Sequence, residues 1–71
     1  MRIVDFIVLP EGRGTVICFD RKLSYQEQAL QTLIIGDITI SVSWVHNDHW
    51  MFTKEEIPDY ESLIGKEAML Q

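Results

Sequence analysis

Ile38-Thr39-Ile40-Ser41-Val42-Ser43-Trp44 decides the fold, because Ile38, Ile40, Val42 and Trp44 alternate without a break with Thr39, Ser41 and Ser43. Successive side chains of a strand point to opposite faces, so this period of two predicts a half-buried antiparallel strand. Directly before it stands Gly36-Asp37, with Gly at the first central position of a two-residue connection, as a type II′ hairpin turn requires. The strand at 38–44 should therefore pair back onto one that ends at Ile35.

Upstream of that turn two readings compete. Ser24-Tyr25-Gln26-Glu27 has the spacing of a capping box, in which the Ser hydroxyl and the Glu carboxylate satisfy each other's free amides at a helix start. Tyr25, Ala29, Leu30 and Leu33 would then share a helical face, closed by Gly36. Against a helix of that length stand Thr32, Ile34 and Ile35, β-branched residues that lose rotamer freedom in a helix. The expectation is a helical turn or loop over Ser24 to Gln28, then a strand.

Downstream, His46-Asn47-Asp48-His49 has the Asn and Asp of a turn, and Trp50-Met51-Phe52-Thr53 resumes the extended pattern. That predicts a second hairpin. Ile57-Pro58-Asp59-Tyr60-Glu61-Ser62-Leu63-Ile64-Gly65 opens with Pro and Asp and closes with Gly, which suits one or two helical turns. Lys66 to Leu70 would be a short closing strand. At the N-terminal end, Arg2 to Leu9 and Thr15 to Phe19 read as strands separated by the turn cluster Pro10-Glu11-Gly12-Arg13-Gly14. The first is apolar on both parities (Ile3, Ile7, Leu9 and Val4, Phe6, Val8), as expected of a strand covered on both sides or lying at a dimer interface. The fold class is thus mostly β. Five or six short strands with one short helical turn before the last resemble a small antiparallel β-barrel, SH3-like or OB-like.

The chain has 71 residues, room for a single domain over 1–71. Its hydrophobic share of 46% matches the globular norm of about 45 to 50% and excludes a disordered tail. Apolar runs such as Phe6–Leu9 are far shorter than the roughly 20 residues a membrane helix needs, and Asp5 interrupts any leader peptide. One cysteine, Cys18, allows no internal disulfide. The expected compartment is the cytoplasm, where a lone Cys stays a thiol.

Net charge is -5, unevenly placed: residues 54–71 carry Glu55, Glu56, Asp59, Glu61 and Glu67 against Lys54 and Lys66. Phosphate binding draws on clustered Lys and Arg, so nucleic acid is a disfavoured partner. A run of acids is either a solvated surface or a face for a basic protein.

Trp44-Val45-His46-Asn47-Asp48-His49-Trp50 gathers both tryptophans and both histidines at a hairpin tip. His46, His49 and Asp48 offer three donors at best, short of the four of a zinc site, so no metal is assigned. The loop is either a polar turn or an aromatic-flanked binding loop. Across a four-residue connection, Trp44 and Trp50 can meet as a cross-strand pair, packed in the core or offered as a stacking platform. Gly12-Arg13-Gly14 reads as a turn between strands, with Arg13 a candidate anion contact. Cys18, mid-strand, reads as a buried inert thiol. No catalytic constellation and no cofactor motif is present.

Two partial resemblances exist. Gly12-Arg13-Gly14-Thr15-Val16 followed by Ile35-Gly36-Asp37-Ile38 resembles the barrel that follows the GTPase domain in translation factors. Ile35-Gly36-Asp37-Ile38-Thr39-Ile40 is similar to a strand of the carbon-storage RNA regulators, whose basic balance this chain lacks. Neither transfers a functional residue.

The function these features point to is a non-enzymatic protein-interaction module: a small acidic accessory or inhibitor protein, expected to be a homodimer, that binds a basic protein surface. Its expected contact residues are Trp44, His46, Asp48, His49, Trp50 and Arg13, or Glu55, Glu56, Asp59 and Glu61. The alternative is a nucleotide or metabolite binder that holds a small-molecule ligand on the Trp44/Trp50 hairpin.

Overall fold

The computed structural model describes residues Met1–Gln71 and arranges them as two antiparallel sheets. In chain order they form β1 (Ile3–Val8), a 3₁₀ turn (Pro10–Gly12), β2 (Thr15–Phe19), α1 (Tyr25–Gln28), β3 (Thr32–Ile35), β4 (Ile38–Ser41), β5 (Ser43–Trp44), β6 (Trp50–Thr53), a second 3₁₀ turn (Tyr60–Leu63) and β7 (Met69–Leu70). One sheet has the order β1-β2-β6-β5 and the other β4-β3-β7. There are seven strands rather than five or six, because the alternating stretch 38–44 passes from one sheet to the other at Val42. There the backbone leaves the ladder, and the Val42 N–H donates to the Gln31 carbonyl at 2.9 Å.

The local signals around that strand hold. Gly36 sits at φ 57 and Asp37 stays out of the left-handed region, the pattern of a turn that needs positive φ only at its first central residue. Ile35 then stands opposite Ile38. In α1 the Ser24 hydroxyl accepts from the Glu27 N–H at 3.2 Å and the Glu27 carboxylate accepts from the Ser24 N–H at 2.8 Å. The helix ends after one turn, and the β-branched residues that follow it enter β3.

The reading of β1 as covered on both sides is overturned. Ile3 lies opposite Phe19 but Asp5 opposite Cys18, so one extra residue is inserted around Val4. Such a bulge resets the parity of the strand, and Ile3 and Phe6 both reach the core across an odd spacing. Val4, Ile7 and Val8 remain 48%, 38% and 55% exposed.

Thirteen buried side chains form the core, among them Ile3, Phe6, Ile17, Phe19, Leu33, Ile40, Val42, Met51 and Leu70. Each fully buried Ile, Leu or Met contributes about 1.5–3 kcal/mol of transfer free energy, enough to matter in a domain of this size. On the opposite face of the four-stranded sheet lie Asp5, Ile7, Val16, Cys18, Phe52 and Trp50, as the register of β1, β2 and β6 dictates. Val16 and Cys18 are buried at 8% and 7% exposure without belonging to the core; the strands and side chains on either side cover them.

The sheets meet along a second line. Arg2 bridges to Glu67, the Ile3 N–H donates to the Lys66 carbonyl at 3.0 Å, and the Ala68 N–H donates to the Met1 carbonyl at 2.7 Å. The two ladders themselves do not join into a closed ring. No helix is long and apolar enough to cross a membrane.

Candidate functional site

Groove-forming residues come from two segments that follow strands. The 3₁₀ turn after β1 and the chain after β6 enclose a groove of 440 Å³ lined by Val8, Leu9, Lys54, Glu56, Ile57 and Tyr60, among others. Tyr60 is held edge-on against the core residue Phe6, with ring centroids 5.6 Å apart. Gly14 lies on the same wall at φ 125, and a Cβ there would fall 2.5 Å from the Phe52 ring and 2.6 Å from the Thr53 carbonyl. Only glycine permits this close approach of β2 to β6.

The acidic segment divides into two groups. Glu55 lies beyond the end of β6, and its carboxylate accepts from the Ser41 N–H at the end of β4. Glu67 pairs with the Met1 ammonium and the Arg2 guanidinium, each at 3.3 Å. Those two acids hold the fold. Glu56, Asp59 and Glu61 are exposed and form no ion pair; Glu56 shares the groove wall with Ile57, Tyr60 and Lys54, and Asp59 and Glu61 flank Tyr60 in the chain. Asp59 adopts φ 54, and its carbonyl accepts from both the N–H and the hydroxyl of Ser62, at 3.1 and 2.8 Å.

The hairpin at 44–50 is built differently from its expected form. Trp44 stands opposite Met51 and Trp50 opposite Cys18. Residues directly opposite share a face, so the indoles lie on opposite faces of the sheet. They are not a cross-strand pair. Trp44 packs against the core, its indole N–H donates to the Asn47 carbonyl at 3.0 Å, and the His46 ring lies 4.5 Å away, tilted by 44°. His46 takes φ 58. The Asp48 carboxylate turns to Lys22 at 3.3 Å, and the Asp48 and His49 carbonyls accept from the Leu23 and Phe19 N–H groups. His46, Asp48 and His49 are exposed, and no three His, Cys, Asp or Glu side chains converge as metal ligands.

Arg13 is remote from this hairpin's contacts. Its guanidinium lies 3.8 Å from Glu11, and its N–H donates to the Pro10 carbonyl at 3.3 Å. Burial pushes the Cys18 thiol above its usual value, and the charge of Asp5 adds to the effect; such a thiol is a poor nucleophile.

A third surface was not legible in the sequence. Tyr25, Gln28 and Ala29 of the α1 turn meet Trp44 around a cleft of 210 Å³, with Tyr25 left 87% exposed. The only sequence signal is the position of Tyr25, directly after a helix cap, where a side chain is presented outward. A fourth depression, of 450 Å³ beside Ile34 and Met69, contains Arg21, Glu27 and Glu67, all committed to ion pairs.

Comparison of the chain with protein-family models, with curated proteins and with solved structures found no match.

Proposed function

We propose that the protein is a non-enzymatic protein-interaction module, a small acidic accessory or inhibitor that docks a basic segment of another protein on the groove between the 3₁₀ turn at Pro10–Gly12 and residues 54–61. The observation that carries this reading is that Glu56, on the wall of a groove floored by Val8, Leu9, Ile57 and Tyr60, and the exposed Asp59 and Glu61 that follow it in the chain form no ion pair, against one lining cation, Lys54. A negative rim speeds encounter with positive patches, and the apolar floor supplies affinity once the surfaces meet.

Two further parts of the reading have their own support. The continuity of 38–44 across both sheets, with the bonds from Met1–Ile3 to Lys66–Ala68, supports an SH3-like, partly open barrel. The apolar side chains of Ile7, Trp50 and Phe52 on the outer face, where Asp5 is the one acid of the β1–β2–β6 register, support self-association as a homodimer. Sedimentation at micromolar concentration tests the dimer, and a clean monomer removes it. The cytoplasm suits the lone Cys18 thiol.

The groove is tested by capture from a lysate of the source cells on the immobilised wild-type chain and on an E56Q/D59N/E61Q variant. The expected result is a basic protein that the wild type retains, that the variant loses, and that raised salt releases. Equal retention by the variant, or recovery of nucleic acid instead, defeats the reading.

A further inference from the structure

We infer that the free edge of β1, over Phe6 to Val8, pairs antiparallel with the same strand of a second copy of this chain, about a twofold axis at Ile7. The inference rests on the homodimer of the proposed function and assigns it an interface, in which the acids of the groove take no part.

β1 ends its sheet. The Leu9 N–H donates to the Gly14 carbonyl at 2.9 Å, so Leu9 turns its backbone toward β2, and the alternation of an antiparallel ladder turns Phe6 and Val8 away from it. On that outward side Ile3 is already engaged, its N–H with the Lys66 carbonyl at 3.0 Å and its carbonyl with the Gly65 N–H at 2.7 Å. Beyond it, the Val8 N–H and the carbonyls of Phe6 and Val8 have no partner. The Phe6 N–H is held only by its neighbour, Oδ1 of Asp5, at 2.8 Å. Val4, Ile7 and Val8 leave apolar side chains in water along the same strand. An exposed apolar edge of this kind is a template for another strand.

The register selects the occupant. With Ile7 opposite the partner's Ile7, Phe6 stands opposite the partner's Val8, and each such pair exchanges both backbone bonds. Every outward group from Phe6 to Val8 is then satisfied by its own counterpart, and the Asp5 carboxylate, which lies on the outer face, returns to water. No like charges meet: Asp5 falls opposite the partner's Leu9, roughly 14 Å along the strand from the partner's Asp5. Pro10 has no N–H to donate and closes the pairing. The remaining edges are less available, because Glu55 holds the Ser41 N–H of β4 and Met1 takes both backbone groups of Ala68 ahead of β7.

The test is Ile7→Cys in a Cys18→Ala background, the full chain held in a glutathione redox buffer beside Val4→Cys as an exposed control. Ile7→Cys is expected to form an intermolecular disulfide, since facing residues of a non-hydrogen-bonded pair have Cα atoms about 4.5 Å apart, within the reach of the bond. Val4→Cys falls opposite the partner's Pro10, far from its own counterpart, and should form none. In the wild type, exchange of the Val8 amide should slow by about tenfold or more between micromolar and millimolar protein. Val8→Pro removes an N–H that lies outside the β1–β2 ladder, and it should weaken the dimer by about tenfold while the dilute chain melts as before. Equal cross-linking of the two cysteine variants, or Val8 exchange that ignores concentration, overturns the inference. A chain monomeric at every concentration removes the homodimer with it, whereas a dimer that survives Val8→Pro and is lost with Trp50→Gln keeps the homodimer and defeats the edge. The E56Q/D59N/E61Q variant should dimerise as the wild type does, so failure of the groove is read separately.

Discussion

Arg21 and Glu27 are joined by two parallel hydrogen bonds, Nη1 to Oε1 and Nη2 to Oε2, each 2.8 Å long. The same Oε1 accepts from the Ser24 N–H at 2.8 Å, so one carboxylate ties the loop after β2 to the start of α1. The Arg21 guanidinium, and after it the Ser24 backbone, hold the Glu27 carboxyl down to about 2 from an ordinary 4.5.

The depressed value fixes the sign of a pH effect. Between about 4.5 and about 2 the unfolded chain binds a proton at this position that the folded chain does not. The stability due to Glu27 is therefore present above that window and is lost as pH falls through it. Thermal melts from pH 7 to 2 should show the wild type losing more than Glu27→Gln over the window. Parallel curves would show that the pair contributes nothing.

Ser24→Ala removes the hydroxyl that accepts from the Glu27 N–H. The expected cost is about 1 kcal/mol, a fall of roughly 4–8 °C in melting temperature for a domain of this length. Ser24→Asp, which restores an acceptor at the cap, should recover most of the loss.

Gly14→Ala should destabilise more than Gly12→Ala. Both glycines have positive φ, but a Cβ at Gly12 meets open space while one at Gly14 collides with Phe52 and the Thr53 carbonyl. Strain of this kind costs on the order of 1–3 kcal/mol, with the collision in addition at Gly14. Denaturant melts giving the reverse order would contradict the packing of β2 against β6.

Glu55→Ala frees the Ser41 N–H at the open edge of β4. Hydrogen exchange at the Ser41 amide should accelerate in that variant and remain slow in Glu55→Gln, whose amide oxygen still accepts. Unprotected edges recruit other strands, so light scattering at high concentration should rise for Glu55→Ala alone.

Features set by neighbours in the chain were legible from composition and spacing. The alternation of Ile38, Ile40, Val42 and Trp44 with Thr39, Ser41 and Ser43, the Gly36-Asp37 turn, the Ser24/Glu27 capping box and the helical turn before the last strand all depend on backbone geometry within a few residues. The acidic segment was visible as a run of charge, but its division was not. Glu55 reaches Ser41 fourteen positions away and Glu67 reaches Met1 across sixty-six, and no pattern in the run distinguishes those two from Glu56, Asp59 and Glu61.

Tertiary structure alone decided the rest, because it depends on register and on approach between distant segments. Apolar residues on both parities of β1 read as a doubly covered strand until the insertion near Val4 places Ile3 and Phe6 on one face. Two tryptophans six positions apart read as a pair until the β5–β6 register sets Trp44 over Met51 and Trp50 over Cys18. A shift of one residue in either ladder would exchange the faces at almost no local cost, so only burial summed over the whole core selects the arrangement. The Tyr25/Trp44 cleft follows from the same cause: its walls come from a helix and a strand that the core, and not the chain between them, brings together.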